Sequence, residues 1–166
     1  MNRFGSKYQG AAIKAGSFAA LLLLSVSAGH AQSSPFAGFD GVWSGNGTVA
    51  LSDGTTERIR CKANYKISGS GTALKQNLRC ASDSYKFDLK TNVIAERGTL
   101  SGTWSESSRN INGNLEGRAS GGNFQVIATA PGFTADISLT TRGNRQSVVI
   151  KAESQFKGAT ITLSRS

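Results

Sequence analysis

Residues 59–80 read Ile59-Arg60-Cys61-Lys62-Ala63-Asn64-Tyr65-Lys66-Ile67-Ser68-Gly69-Ser70-Gly71-Thr72-Ala73-Leu74-Lys75-Gln76-Asn77-Leu78-Arg79-Cys80. Apolar and polar side chains alternate on both sides of a Gly/Ser turn signal, the period-two pattern of two half-buried strands joined as a hairpin. Turning at Ser70-Gly71 sets Cys61 opposite Cys80, Ala63 opposite Leu78 and Tyr65 opposite Gln76. Because a one-residue slip would send every one of these side chains to the other face, the apolar parity fixes the register.

The compartment follows from the other end of the chain. Arg3, Lys7 and Lys14 form a positive segment, residues 15–26 an apolar run built on four leucines, and Gly29-His30-Ala31 a small-x-small cleavage signal. This is the pattern of a secretory signal peptide, and the apolar run is too short to span a bilayer. The expected organisation is a signal peptide over 1–31, a short tail over 32–40 and a domain over 41–166, with the mature protein periplasmic or secreted. Removing Arg3, Lys7 and Lys14, with no acidic residue, lowers the formal net charge from +9 to +6. A surplus of that size favours anionic surfaces such as lipid head groups or envelope polyanions. Nucleic acid is the least expected partner of an exported protein. In that compartment the facing cysteines read as a Cys61–Cys80 disulfide, worth about 3 kcal/mol for a loop of this size in the chain-entropy model.

After residue 31 the composition is rich in Gly, Ser and Thr, and short alternating runs recur between turn signals. Ten strands are expected, over 41–51, 56–67, 73–80, 84–95, 99–106, 110–119, 122–130, 133–141, 145–152 and 158–165. Meander connections this short place successive strands side by side, so the predicted fold class is all-β, a single antiparallel up-and-down barrel of eight to ten strands. A three-residue loop at Ser52-Asp53-Gly54 sets Gly45 opposite Cys61 and Gly47 opposite Ile59. A two-residue turn at Ser82-Asp83 sets Cys80 against Tyr85 and Leu78 against Phe87. One at Gly143-Asn144 sets Leu139 against Val148 and Ile137 against Ile150. A six-residue loop before the last strand sets Ile150 against Ile161 and Val148 against Leu163, and brings Arg165 onto the inner face opposite Gln146.

Gly41-Val42-Trp43 opens the first strand as Gly-x-Trp, and Arg165 closes the last. This pairing resembles the calycin group of barrels, the lipocalins, fatty-acid-binding proteins and avidins. The resemblance implies that Trp43 closes one end of the barrel with the Arg165 cation packed across it. The chain is also similar to small exported barrels of alphaproteobacteria. A second Gly-x-Trp-Ser at Gly102-Thr103-Trp104-Ser105 echoes Gly41-Val42-Trp43-Ser44 and puts Trp104 on the inner face.

Two readings of the interior stand side by side. Gly45, Gly47, Ala63, Gly113, Gly117, Ala119, Ala135 and Ala152 make a wall of small residues, whereas Trp43, Tyr65, Gln76, Tyr85, Phe87, Trp104, Gln146 and Arg165 supply aromatic and hydrogen-bonding groups. A mostly apolar lining with sparse polar groups is the make-up of a ligand pocket. The other reading is that the small residues let strands bend and that Tyr65 and Gln76 satisfy each other.

On the outer face, Arg58, Arg60, Lys62 and Lys66 alternate along the second strand and Lys75 and Arg79 along the third. The register opposes Lys62 to Arg79 and Lys66 to Lys75, which is destabilising unless solvent screens it or an anionic partner binds. A polar outer face also excludes an outer-membrane barrel, which needs an apolar outward band.

With histidine gone after residue 31, neither a Ser/His/Asp triad nor an imidazole zinc site can be assembled. Among the scattered carboxylates only Glu106 shares the inner face, beside Trp104. No catalytic residue, metal or cofactor is therefore expected, and the protein is expected to be a monomer and not an enzyme. The first functional expectation is an extracytoplasmic binding protein holding a small apolar or amphipathic, anion-bearing ligand, with the basic strands meeting its head group. The alternative is a protein-interaction module. The chain resembles the periplasmic inhibitors of secreted metalloproteases, which implies that residues 32–37 would act as an inhibitory tail.

Overall fold

The structure, a computed structural model, describes residues 34–166; the expected signal peptide and its cleavage site lie outside them. Ten strands follow one another: β1 Gly41–Leu51, β2 Thr56–Ser68, β3 Ala73–Ala81, β4 Lys86–Glu96, β5 Thr99–Glu106, β6 Ile111–Ser120, β7 Asn123–Ala130, β8 Phe133–Arg142, β9 Arg145–Ala152 and β10 Phe156–Arg165. Each pairs antiparallel with the next, and β1 pairs with β10 to close the barrel. Full closure leaves no sheet edge to be capped. A single 3₁₀ turn, Gly69–Gly71, links β2 to β3.

Strand β2 shows how sequence becomes barrel. Ile59, Cys61, Ala63 and Tyr65 are buried while Arg58, Arg60, Lys62, Asn64 and Lys66 are exposed. The expected partners are found: Cys61 faces Cys80, Ala63 faces Leu78, Tyr65 faces Gln76, Gly45 faces Cys61 and Gly47 faces Ile59. The Cys61–Cys80 disulfide is formed, with the Cα atoms 4.1 Å apart. Gly143-Asn144 also turns as expected, setting Leu139 against Val148 and Ile137 against Ile150.

Two registers differ from expectation, each by two residues, so that every side chain keeps its face. Between β3 and β4, Cys80 faces Phe87 and Leu78 faces Leu89, in place of Tyr85 and Phe87. The turn is four residues long, because the Ser82 N–H donates to the Tyr85 carbonyl at 2.7 Å and the Tyr85 N–H to the Ser82 hydroxyl at 2.9 Å. This register pairs Arg79 with Asp88, at 2.7 Å, where the shorter turn would have opposed it to Lys86. Between β9 and β10 the loop spans three residues and not six, so Ile150 faces Ala159, Val148 faces Ile161 and Gln146 faces Leu163. Arg165 pairs instead with Trp43 across the closing seam.

The core is divided. Phe36, Phe39, Trp43, Tyr65, Leu74, Leu100, Phe124 and Leu163 fill the barrel end where β1 begins. A smaller cluster of Trp104, Leu115, Ala128 and Ala135 lies on the opposite wall. Trp104 faces Gly113 across β5 and β6, and a Cβ at Gly113 would sit 2.6 Å from the indole nitrogen. Glycine is needed there so that the ring can lie flat over the neighbouring strand.

Candidate functional site

One end of the barrel is sealed by the segment that precedes it. The Ala37 N–H bonds to the Ser34 carbonyl at 2.9 Å and the Phe39 N–H to the Phe36 carbonyl at 3.0 Å, folding residues 34–39 into consecutive turns. These turns deliver Phe36 and Phe39, each 2% exposed, into the end of the barrel where β1 begins. Phe36 stacks on Phe124 at 6.1 Å, and Phe39 meets Phe124 and Tyr65 edge-on at 5.1 and 5.3 Å. The Trp43 indole N–H donates to the Phe39 carbonyl at 2.8 Å. The guanidinium carbon of Arg165 lies 5.1 Å from the centroid of the Trp43 ring.

Beyond this plug the barrel is hollow. A cavity of about 710 Å³ extends to the opposite end, where the β1–β2, β3–β4, β5–β6, β7–β8 and β9–β10 loops form its mouth. Its wall is mainly apolar, with Leu89, Val93, Leu115, Val126 and Ile137 prominent. Five of the predicted interior residues line it: Tyr65, Gln76, Tyr85, Phe87 and Trp104. Trp43, Gln146 and Arg165 do not, which corrects the expectation for those three. Trp43 is spent in the plug, Gln146 is buried as a partner of Tyr65, and Arg165 covers Trp43 from an exposed position.

Hydrogen bonds join the inner polar groups into a chain. Gln76 Nε2 donates to the Tyr65 hydroxyl at 3.2 Å, and that hydroxyl donates to Gln146 Oε1 at 3.0 Å. Burial pushes the Tyr65 phenol well above its ordinary pKa, so it stays a neutral donor.

At the mouth, Glu106 and Arg109 form a second polar group. Burial opposes ionisation of Glu106, yet its carboxylate accepts the N–H groups of Asp88, Ser108 and Arg109 at 3.0, 3.0 and 2.7 Å, which together hold it below the usual carboxylate range. The Arg109 guanidinium stands 3.5 Å from Glu106 and 4.6 Å from the centroid of the Tyr85 ring. Tyr85 in turn stacks on Phe156 at 6.3 Å. Asp53 also reaches the cavity rim, an acid that strand parity did not anticipate because it sits in a turn. Its carboxylate is occupied by the Thr55 hydroxyl and N–H, at 2.7 and 2.9 Å.

Among the described residues Arg109 is the only cation of the lining, and sequence parity missed it because it lies in the β5–β6 loop. The six basic residues singled out in the sequence, Arg58, Arg60, Lys62, Lys66, Lys75 and Arg79, are all exposed on the outside of β2 and β3. They cannot meet the head group of a ligand held within, which corrects that expectation. Lys62 does oppose Arg79, and Lys66 opposes Lys75.

A closed antiparallel barrel, plugged at one end by an aromatic segment and hollow behind a five-loop mouth, defines a calycin-like, lipocalin-type fold. Solved structures with this fold include the following two. The protein Rv2717c from M. tuberculosis superposes with a TM-score of 0.64 at 12% identity, over 79% of this chain and 94% of that one. The S-type phycobiliprotein lyase CPES from Guillardia theta superposes with a TM-score of 0.60 at 9% identity, over 76% and 88%. No protein-family model and no curated sequence matches the chain.

Proposed function

We propose that this protein is a non-catalytic extracytoplasmic carrier or sensor that holds one small, mostly apolar molecule in its barrel, with an anionic group of that molecule at the mouth on Arg109. The observation that carries the reading is the cavity of about 710 Å³ with its apolar wall, a size and lining suited to a single small ligand. Similarity to a lyase whose name refers to phycobiliprotein is compatible with small-molecule binding by this fold. Arg109 suits the anion because Glu106 is already satisfied by three backbone N–H groups, so the guanidinium keeps donors to offer. The carboxylates at the mouth are both engaged locally, which favours binding over acid–base chemistry. The export signal and the Cys61–Cys80 bond support an oxidising compartment.

Inhibition of a protease through residues 32–37 is the weaker reading, since Phe36 is buried inside the barrel and not held out to a partner. Native mass spectrometry of protein purified from its own host, with extraction of bound material, tests the carrier reading. A stoichiometric amphipathic adduct is the expected result. A clean apo mass together with no uptake of an anionic fluorescent probe such as anilinonaphthalene sulfonate would end it.

A further inference from the structure

Five directly paired positions form a row across β2 to β6: Tyr65, Gln76, Thr91, Trp104 and Gly113. The polar members nearest the plug bond to one another through the Gln76–Tyr65–Gln146 chain, which leaves Gln146 Nε2 buried without a partner among the described residues and away from the cavity lining. Thr91 does not join them. It faces Gln76 directly, is 6% exposed and lines the cavity, yet its hydroxyl has no partner among the described residues. Gln76 gives its amide N–H to Tyr65, and its amide oxygen accepts no hydrogen bond from the other described residues.

An unpaired buried hydroxyl is costly, and the fold has no need of it. Valine has the shape of threonine and is an equally good strand former, so an all-apolar wall was available at this position. What the hydroxyl adds is a donor beside an amide acceptor, on a buried side chain that lines an otherwise apolar space. We propose that Thr91 and Gln76 form a polar subsite on the inner wall, which takes a hydroxyl, or another group that both donates and accepts, from the buried part of a mostly apolar ligand. The Thr91 O–H donates to that group, and the group donates to Gln76 Oε1. This deepens the carrier reading and rests on it, because it names a second recognition point away from the mouth.

The test compares naphthalene with 2-naphthol, which differ by one hydroxyl, by quenching of tryptophan fluorescence in the full mature chain. The wild type is measured beside Thr91→Val, Thr91→Ala and Thr91→Ser. The ratio of 2-naphthol to naphthalene affinity should fall about tenfold in the valine and alanine variants and return in the serine variant, the size expected for one buried hydrogen bond. Either truncation suffices if the other does not fold. Binding of both probes with an unchanged ratio overturns the subsite and leaves the carrier reading standing. Failure of the wild type to bind either probe overturns the carrier reading, and the subsite with it.

Discussion

Trp43 and Arg165, separated by almost the whole domain in sequence, are direct partners across the β1–β10 seam, with the guanidinium 5.1 Å from the indole centroid. The two do unequal work. Trp43 is fully buried against Tyr65 and the plug, whereas Arg165 is exposed. Arg165→Ala should therefore cost only about 0.5–1 kcal/mol, the size of an exposed cation–π contact. Trp43→Ala should cost roughly 3–5 kcal/mol through the cavity it leaves. Urea unfolding of both variants checks this, and equal losses would mean that the seam is held chiefly by the cation.

The disulfide staples β2 to β3 from inside, and its contribution is separable from packing. Replacing both Cys61 and Cys80 with alanine should lower stability by about 3 kcal/mol, as the closed loop predicts. The same double variant should leave probe binding intact, because neither sulfur lines the cavity. Equilibrium unfolding and fluorescence titration of one preparation read both quantities. Loss of binding with the fold retained would show that the staple sets the shape of the cavity.

Glu106 contributes acid sensitivity to the mouth. Its folded pKa lies below the ordinary value, so its contribution is fully present above the unfolded carboxylate pKa and is lost as pH falls through the folded one. Glu106→Gln keeps the shape but weakens the acceptor for three N–H groups, and should cost about 1–3 kcal/mol at pH 7. The gap between wild type and variant should begin to narrow as pH falls below the unfolded carboxylate pKa of about 4.3. A constant gap in urea unfolding from pH 7 to pH 3 would contradict this.

What sequence could and could not show follows from the physics of each element. The Cys61–Cys80 and Tyr65–Gln76 pairings were legible because alternation admits one parity, and turn signals bound the strands closely. The β3–β4 register was not, since moving by two residues preserves parity. The Arg79–Asp88 pair and the Ser82–Tyr85 bonds distinguish the alternatives. Phe36 and Phe39 show no periodicity and lie before the first strand, so nothing local marked them as a plug. Arg109 escaped for a related reason. A loop side chain has no face until the barrel closes around it.

Arg109 also gives the sharpest test of ligand charge. It is the one cation that the described residues give the lining, held over Tyr85, and its side chain is 40% exposed, so its attraction for an anion is screened but not lost. Dodecanoate and 1-dodecanol have the same chain and differ in head-group charge. If the anion sits on Arg109, Arg109→Met should weaken dodecanoate about tenfold, within the range for a hydrogen bond to a charged group, and leave 1-dodecanol within about twofold. The dodecanoate affinity of the wild type should fall with added salt while that of the variant changes little. Competition against anilinonaphthalene sulfonate bound in the cavity reads all four combinations. Equal weakening of both ligands would show that Arg109 shapes the mouth and does not select charge, and the head group would then have to be neutral.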